Sequence, residues 1–320
     1  MPLKRAQLFD HVCDLIGPTI GLRDSRDGWP GIAEIASQAG PLRAAMHVSN
    51  VSSHARKVYE RRFQNPGDGS PVSDPNGASP ILVGLADVDG VPILVVLDGT
   101  SRLNRNARFS ILFNFSILQE AAVCGWAEYV SGAREKITAM HPRLFPAYLD
   151  AFKYGIDVSP ILVADAVEAS GLLETQAEVE AERARTMVTK LVRRAAFGRD
   201  VCRAYDQKCA MCEIDMGLLE GAHILPANVP GSPDQVFNGL SLCRNHHRSF
   251  DLGNIWIDPD TLDVEWHPEI FNRANLDPAA EKFLAMTRAE LVRPVHAANH
   301  PSPEMFQRRY ESAGSIYGWR

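Results

Sequence analysis

Cys209-Ala-Met-Cys212, then Ala222-His223-Ile224, then Asn238-Gly239-Leu240, then Cys243-Arg-Asn-His246-His247-Arg-Ser-Phe-Asp251 is the stretch on which the reading of this chain turns. Cys209 and Cys212 form a C-x-x-C knuckle, and Cys243 and His246 form a C-x-x-H knuckle further on. Four soft or borderline ligands in two knuckles build a closed tetrahedral zinc site. A closed shell leaves no open position for substrate, so this metal is expected to be structural. It staples two loops of a module too small to hold itself by burial alone. Two pairs at ligand spacing make a chance association of core cysteines a poor alternative.

The residues between and after the knuckles are not needed by a zinc staple. The order C-x-x-C, Ala-His-Ile, Asn-Gly-Leu and Cys-x-x-His-His-x-x-Phe-Asp resembles the restriction-type branch of the HNH endonucleases, over about residues 190 to 260. The resemblance implies two antiparallel strands and a helix around one catalytic divalent ion, Mg2+ or another. It implies that His223 ends the first strand as general base, since an imidazole can take a proton from water near neutral pH. Asn238 would hold that histidine in its working orientation. His247 would open the helix as a ligand of the catalytic ion. Asp251, four residues on and so on the same helical face, would complete that shell. Arg248, or Arg244, would neutralise the neighbouring phosphate. One position departs from the pattern. Many such enzymes carry a ligand aspartate before the base histidine, and here that residue is Ala222. Either Asp251 substitutes or His223 itself helps bind the ion.

Working outward, the 320 residues leave room for two ordinary domains. With 45% hydrophobic and 22% charged residues the composition is that of a soluble globular protein. No window approaches the run of about eighteen apolar residues that a spanning helix needs, and the first ten residues lack the apolar core of a signal peptide. A cytoplasmic protein without membrane attachment is expected. In a reducing compartment clustered cysteines favour metal over disulfide. Cys13, Cys124 and Cys202 are scattered and read as small core hydrophobes. The net charge of −6 argues weakly against nucleic acid. Its distribution matters more: Arg183 to Arg248 holds ten Lys or Arg against six Asp or Glu. That basic segment is compatible with double-stranded DNA.

The expected fold is α+β throughout: an N-terminal α+β recognition domain over 1–160, a helical connector over 161–189, and a zinc-stapled ββα-metal nuclease domain with a C-terminal tail over 190–320. Residues 1 to about 63 read as helical and polar, with a plain amphipathic helix over Gly31 to Gly40 and solvated His47 and His54. A long loop spans Pro66 to Pro80. Ile81 to Val88 and Val91 to Leu97 flank Asp89-Gly90, a pair that favours a two-residue hairpin. Phe109 to Phe115 reads as a buried strand and Leu118 to Tyr129 as helix. Arg102, Arg105 and Arg108 sit in a polar loop after the hairpin. They are either solvated or meet phosphates and base edges through their bidentate forks.

The functional expectation is a metal-dependent DNA endonuclease of restriction or host-defence type, with the N-terminal domain choosing a site that carries a particular sequence or base modification. A homodimer is compatible with that work. Two alternatives are a zinc-bearing DNA-binding module without catalysis, and a nuclease gated by a small signal molecule. His223, Asn238 and His247 together speak against the first, because zinc folding requires none of them. The Arg102 to Arg108 loop would serve an anionic signal as well as DNA.

Overall fold

A computed structural model describes residues 3–37, 40–54, 57–175, 177–274 and 276–320. The chain divides into two units, Met1–Val192 and Arg193–Arg320.

In the first unit, helix α1 (Arg5–Ile16) precedes strands β1 (Ile20–Asp24), β2 (Gly31–Ile35), β3 (Leu42–Asn50), β4 (Ser52–His54) and β5 (Lys57–Gln64). The hairpin β6 (Ser79–Val88) and β7 (Val91–Asp98) follows, then β8 (Ser110–Asn114), α2 (Ser116–Cys124), β9 (Trp126–Val130) and β10 (Lys136–Met140). Helices α3 (Phe145–Tyr154), α4 (Pro160–Ser170), α5 (Leu172–Thr175) and α6 (Glu178–Ala204) come next. Seven strands form one sheet in the order β1-β2-β3-β6-β7-β10-β9, parallel only between β3 and β6. A second sheet has the order β4-β5-β8.

The β6–β7 hairpin is the spine of this unit. Asp89 and Gly90 both take positive φ, 52° and 88°, the backbone that a type I′ turn requires. Both faces of the hairpin are buried, which is why its sequence is apolar without alternation. Ile81, Val83, Leu94 and Val96 enter one core with residues of α1, α3, α4 and α6. Leu82, Ile93, Val95 and Leu97 enter the opposite core with Phe63, Phe113 and residues of α2. Each fully buried side chain of this kind contributes about 1.5–3 kcal/mol.

The expectation of a helical residue 1–63 region holds only for α1. Residues 31–35 and 42–50 are strands, and β3 is buried at Leu42, Ala44, Ala45, Met46, His47 and Val48. Alanine-rich sequence favours helix locally, but the pairing of β3 with β2 on one edge and β6 on the other, and burial on both faces of β3, override that weak preference. Gln38 and Ala39, in the helix expected to end at Gly40, lie outside the described residues. His47 is fully buried, where a solvated residue was expected. Its Nδ1 lies 3.1 Å from the Ala45 carbonyl and its Nε2 accepts from the Ser73 amide at 3.0 Å. The helix expected over 118–129 stops at Cys124, where Gly125 takes φ 76°, and Trp126 begins a strand. The helical stretch 161–189 belongs to the first unit's core, through Val163, Val167, Ala181, Ala184 and Val188.

The second unit holds the last turns of α6, strands β11 (Leu219–His223) and β12 (Gly239–Cys243), helix α7 (Arg244–Asp251), strands β13 (Ile255–Ile257) and β14 (Val264–Trp266), and helices α8 (Pro268–Ala274), α9 (Pro278–Met286) and α10 (Pro303–Ser312). β11 and β12 pair antiparallel, with His223 opposite Gly239, and β13 pairs with β14. Phe197 and Val201 of α6 pack on Ala222, Leu240, Leu242 and Phe250. Gly198 and Gly221 let α6 lie close on β11: a Cβ on Gly221 would stand 2.5 Å from the Gly198 Cα. Two antiparallel strands followed by a helix is the local architecture expected for residues 190–260.

Candidate active site and metal centre

His223 stands at the end of β11, and two contacts fix its ring. Phe197 of α6 stacks on it at 3.8 Å between ring centroids and 14° between planes. Asp234 accepts a hydrogen bond from Nε2 at 3.0 Å. With that proton given to Asp234, Nδ1 is the nitrogen left to accept a proton from water. Asp234 lies in a loop eleven residues beyond His223, where no spacing rule points to it.

Asn238 is fully buried but makes no hydrogen bond to His223. Its Oδ1 accepts from the Leu225 amide at 2.8 Å, and its Nδ2 donates to the Pro233 carbonyl at 3.0 Å and to Ser232 Oγ at 3.1 Å. The side chain thus pins the loop between the two strands at both ends. It reaches the histidine through that loop, because Asp234 follows Pro233 directly.

His247 and Asp251 share one face of α7, with His247 Nε2 3.4 Å from Asp251 Oδ2. The other ring nitrogen, Nδ1, lies 2.8 Å from Glu220 Oε2 on β11, and Arg244 Nε stands 3.2 Å from the other Glu220 oxygen. A carboxylate on one ring nitrogen sets the tautomer and leaves the other for a metal. Glu220 was not legible as a site residue, because its link to His247 runs across the strand–helix junction. Arg248 is exposed on the same helix. Ala222, at the position where related patterns carry a ligand, is fully buried in the core; a charged side chain there would be buried too.

The four knuckle residues meet. The ligand atoms of Cys209, Cys212, Cys243 and His246 lie within 4.8 Å of one another. His246 Nδ1 stands 3.3 Å from Cys243 Sγ and 3.6 Å from Cys209 Sγ, while its Nε2 contacts Thr287 Oγ1 at 2.9 Å. Hydrogen bonding to the Cys209 sulfur and to His246 holds the Cys243 thiol below its ordinary value. Three thiols and one imidazole, mostly buried and oriented by a neighbouring hydroxyl, fit a closed four-coordinate metal site. Glu220, His247 and Asp251 do not gather around one point in that way, since the two carboxylates meet opposite edges of the ring.

A buried arginine ties the site together. Arg309 of α10 donates to the Ile224 carbonyl at 2.9 Å, the Phe250 carbonyl at 2.7 Å and the Tyr317 hydroxyl at 2.8 Å. Its guanidinium also lies over the Phe250 ring at 3.8 Å. It therefore links the end of the His223 strand to the helix of His247.

In the first unit the three loop arginines differ. Arg102 pairs with Glu135 and lies over Phe109 at 5.1 Å. Arg105 and Arg108 are exposed.

Residues 207–258 match the family model described as HNH endonuclease, and residues 43–149 match one described as Methylase-associated X1. The second unit therefore carries an HNH endonuclease domain, and the protein is a nuclease. No curated protein matches the chain. Among solved structures, one described as "Modification dependent TagI restriction endonuclease" is similar at 14% identity over 90% of this chain and 86% of that chain, with a TM-score of 0.31. Among the described residues, no helix is long and apolar enough to cross a membrane.

Proposed function

We propose that the protein is a metal-dependent restriction-type endonuclease that hydrolyses phosphodiester bonds of double-stranded DNA, with its first unit choosing the site. The observation that carries this is the pair of oriented histidines within the HNH segment: His223 held by Asp234, and His247 held by Glu220 beside Asp251.

Each residue has a distinct task. His223 takes the proton of the attacking water at Nδ1, and Asp234 keeps the ring in the tautomer that can do so. Phe197 covers one ring face and limits rotation. His247, through Nε2, and Asp251 would hold a divalent ion such as Mg2+. Bound there, such an ion supplies Lewis-acid stabilisation of the leaving 3′ oxygen. Exposed Arg248 meets an adjacent phosphate. Cys209, Cys212, Cys243 and His246 would hold a structural Zn2+.

Phosphate contacts position an enzyme on DNA but carry no sequence information, so another unit must select the site. The match of residues 43–149 to a methylase-associated family supports a first unit concerned with base modification. Arg105 and Arg108 are available to DNA, while Arg102 serves the loop itself. One nuclease site per chain suits a homodimer that cuts both strands, in the cytoplasm.

The test is incubation of the full chain with unmodified and base-modified plasmids in Mg2+, Mn2+ or EDTA. Cleavage with a divalent ion, abolished by EDTA and sensitive to the modification, is expected. Cleavage that persists in EDTA, or no cleavage of any plasmid, would overturn it.

A further inference from the structure

The first unit carries a cavity of about 350 Å³ where the C-terminal end of β7 meets β9, β10 and α3. That volume lies within the roughly 300–1,000 Å³ of small-molecule sites. Its apolar wall is aromatic: Trp126, Tyr148 and Phe152, with Tyr148 and Phe152 stacked at 6.3 Å and 21°. Its polar wall is mostly acidic, with Asp98, Glu128 and Asp157 against a single Lys136.

The acids are held in place. Glu128 Oε1 takes Lys136 Nζ at 2.9 Å and the Trp126 indole N–H at 3.4 Å. Lys136 also reaches Asp157 at 2.7 Å. Asp98 Oδ1 accepts from the amide and hydroxyl of Thr100. Burial, with Asp98 and Glu128 nearby, pushes the Tyr148 hydroxyl up, so it stays protonated and available for hydrogen bonding.

A net negative, aromatic-lined cavity repels phosphate and accepts N–H donors on a flat ring. The loop that follows Asp98 carries exposed Arg105 and Arg108, and Arg102 anchors that loop to Glu135, the residue before Lys136. The loop that begins beside Asp98 at one wall of the cavity thus carries two exposed cations further along the chain. That division suits a nucleotide, whose phosphate needs cations and whose base needs stacking and acceptors.

Resting on the site-selecting role proposed above, we propose that this cavity binds a nucleobase bearing an exocyclic amino group, stacked on Trp126, Tyr148 and Phe152 with its amino edge toward Asp98 and Glu128. The base comes either from a nucleotide swung out of the duplex or from a free nucleotide.

The experiment uses the full chain, with Glu128→Gln and Phe152→Leu variants checked for unchanged melting. Cytidine, 5-methylcytidine, adenosine, guanosine and thymidine are titrated calorimetrically, and modified and unmodified duplexes are titrated at several salt concentrations. For a base taken from the duplex, both variants lose about tenfold in binding to the preferred duplex, the size of one base–aromatic contact, with no change in salt slope. For a free nucleotide, an amino-bearing nucleoside binds at least about tenfold better than thymidine, the variants weaken it, and duplex binding does not change. If no nucleoside binds and both variants discriminate between duplexes as the wild type does, the cavity is not a base site, yet the site-selecting role survives. If the wild type does not discriminate between duplexes, the site-selecting role fails, and the nucleoside titration alone decides the cavity.

Discussion

His223 Nε2 and Asp234 Oδ1 lie 3.0 Å apart, which makes Nδ1 the nitrogen of His223 free to act on water. Asp234→Asn should therefore lower cleavage by roughly 10- to 100-fold, less than the hundred- to ten-thousand-fold expected for His223→Ala. Asp234 is well exposed, so melting temperature and metal content should not change. Plasmid cleavage rates beside thermal melts check this. If Asp234→Asn cuts at the wild-type rate, the carboxylate does not position the base. If His223→Ala keeps more than a tenth of the activity, His223 is not the base.

Asn238→Ala should act on stability first. It leaves the buried Leu225 amide without its acceptor and releases the Ser232–Pro233 end of the loop. A buried unsatisfied donor costs about 1–3 kcal/mol. Denaturant titration of the second unit's transition should show a loss of that order, with cleavage falling because Asp234 is no longer held. Unchanged stability would contradict the pinning role.

The Cys209, Cys212, Cys243 and His246 cluster should hold one zinc per chain. Elemental analysis checks the ion, and Cys212→Ser should leave residues 193–320 unfolded or aggregating, because the metal substitutes for a larger core. Well-folded protein free of zinc would rule this out.

Acid should destabilise the first unit. Burial pushes both His47 and His141 down to about 4 from an ordinary value of 6.5. The unfolded chain takes up these protons as pH falls below 6.5, while the folded chain resists until about 4. Stability is therefore complete above 6.5, is lost between 6.5 and 4, and levels off below that. Each histidine accounts for a change on the order of 3 kcal/mol across the window. Denaturant titrations at pH 7.5 and 5 should differ, and His47→Gln should reduce the difference. A pH-independent midpoint would show that these histidines are not buried neutral.

The amino-acid sequence alone determined whatever depends on short-range spacing. A C-x-x-C or C-x-x-H knuckle sets ligand distance within one turn of chain, and the four residues meet as their spacing implied. Asp89-Gly90 determined its hairpin because few residue pairs accept two positive φ angles in succession. His247 and Asp251 share a face because they are one helical turn apart. Tertiary structure decided the rest. Leu42–Asn50 is a strand because Ser79–Leu85, distant in sequence, pairs along it, and Gly31–Ile35 pairs on its other edge, which outweighs local helix preference. Asp234, Glu220 and Arg309 reach His223, His247 and α7 only through folding of separate elements, and no periodicity encodes such contacts. Asn238 stands out in the Asn-Gly-Leu motif, but its partners in the Leu225–Pro233 loop do not, since an amide that can donate and accept says nothing of where it points until the chain is packed.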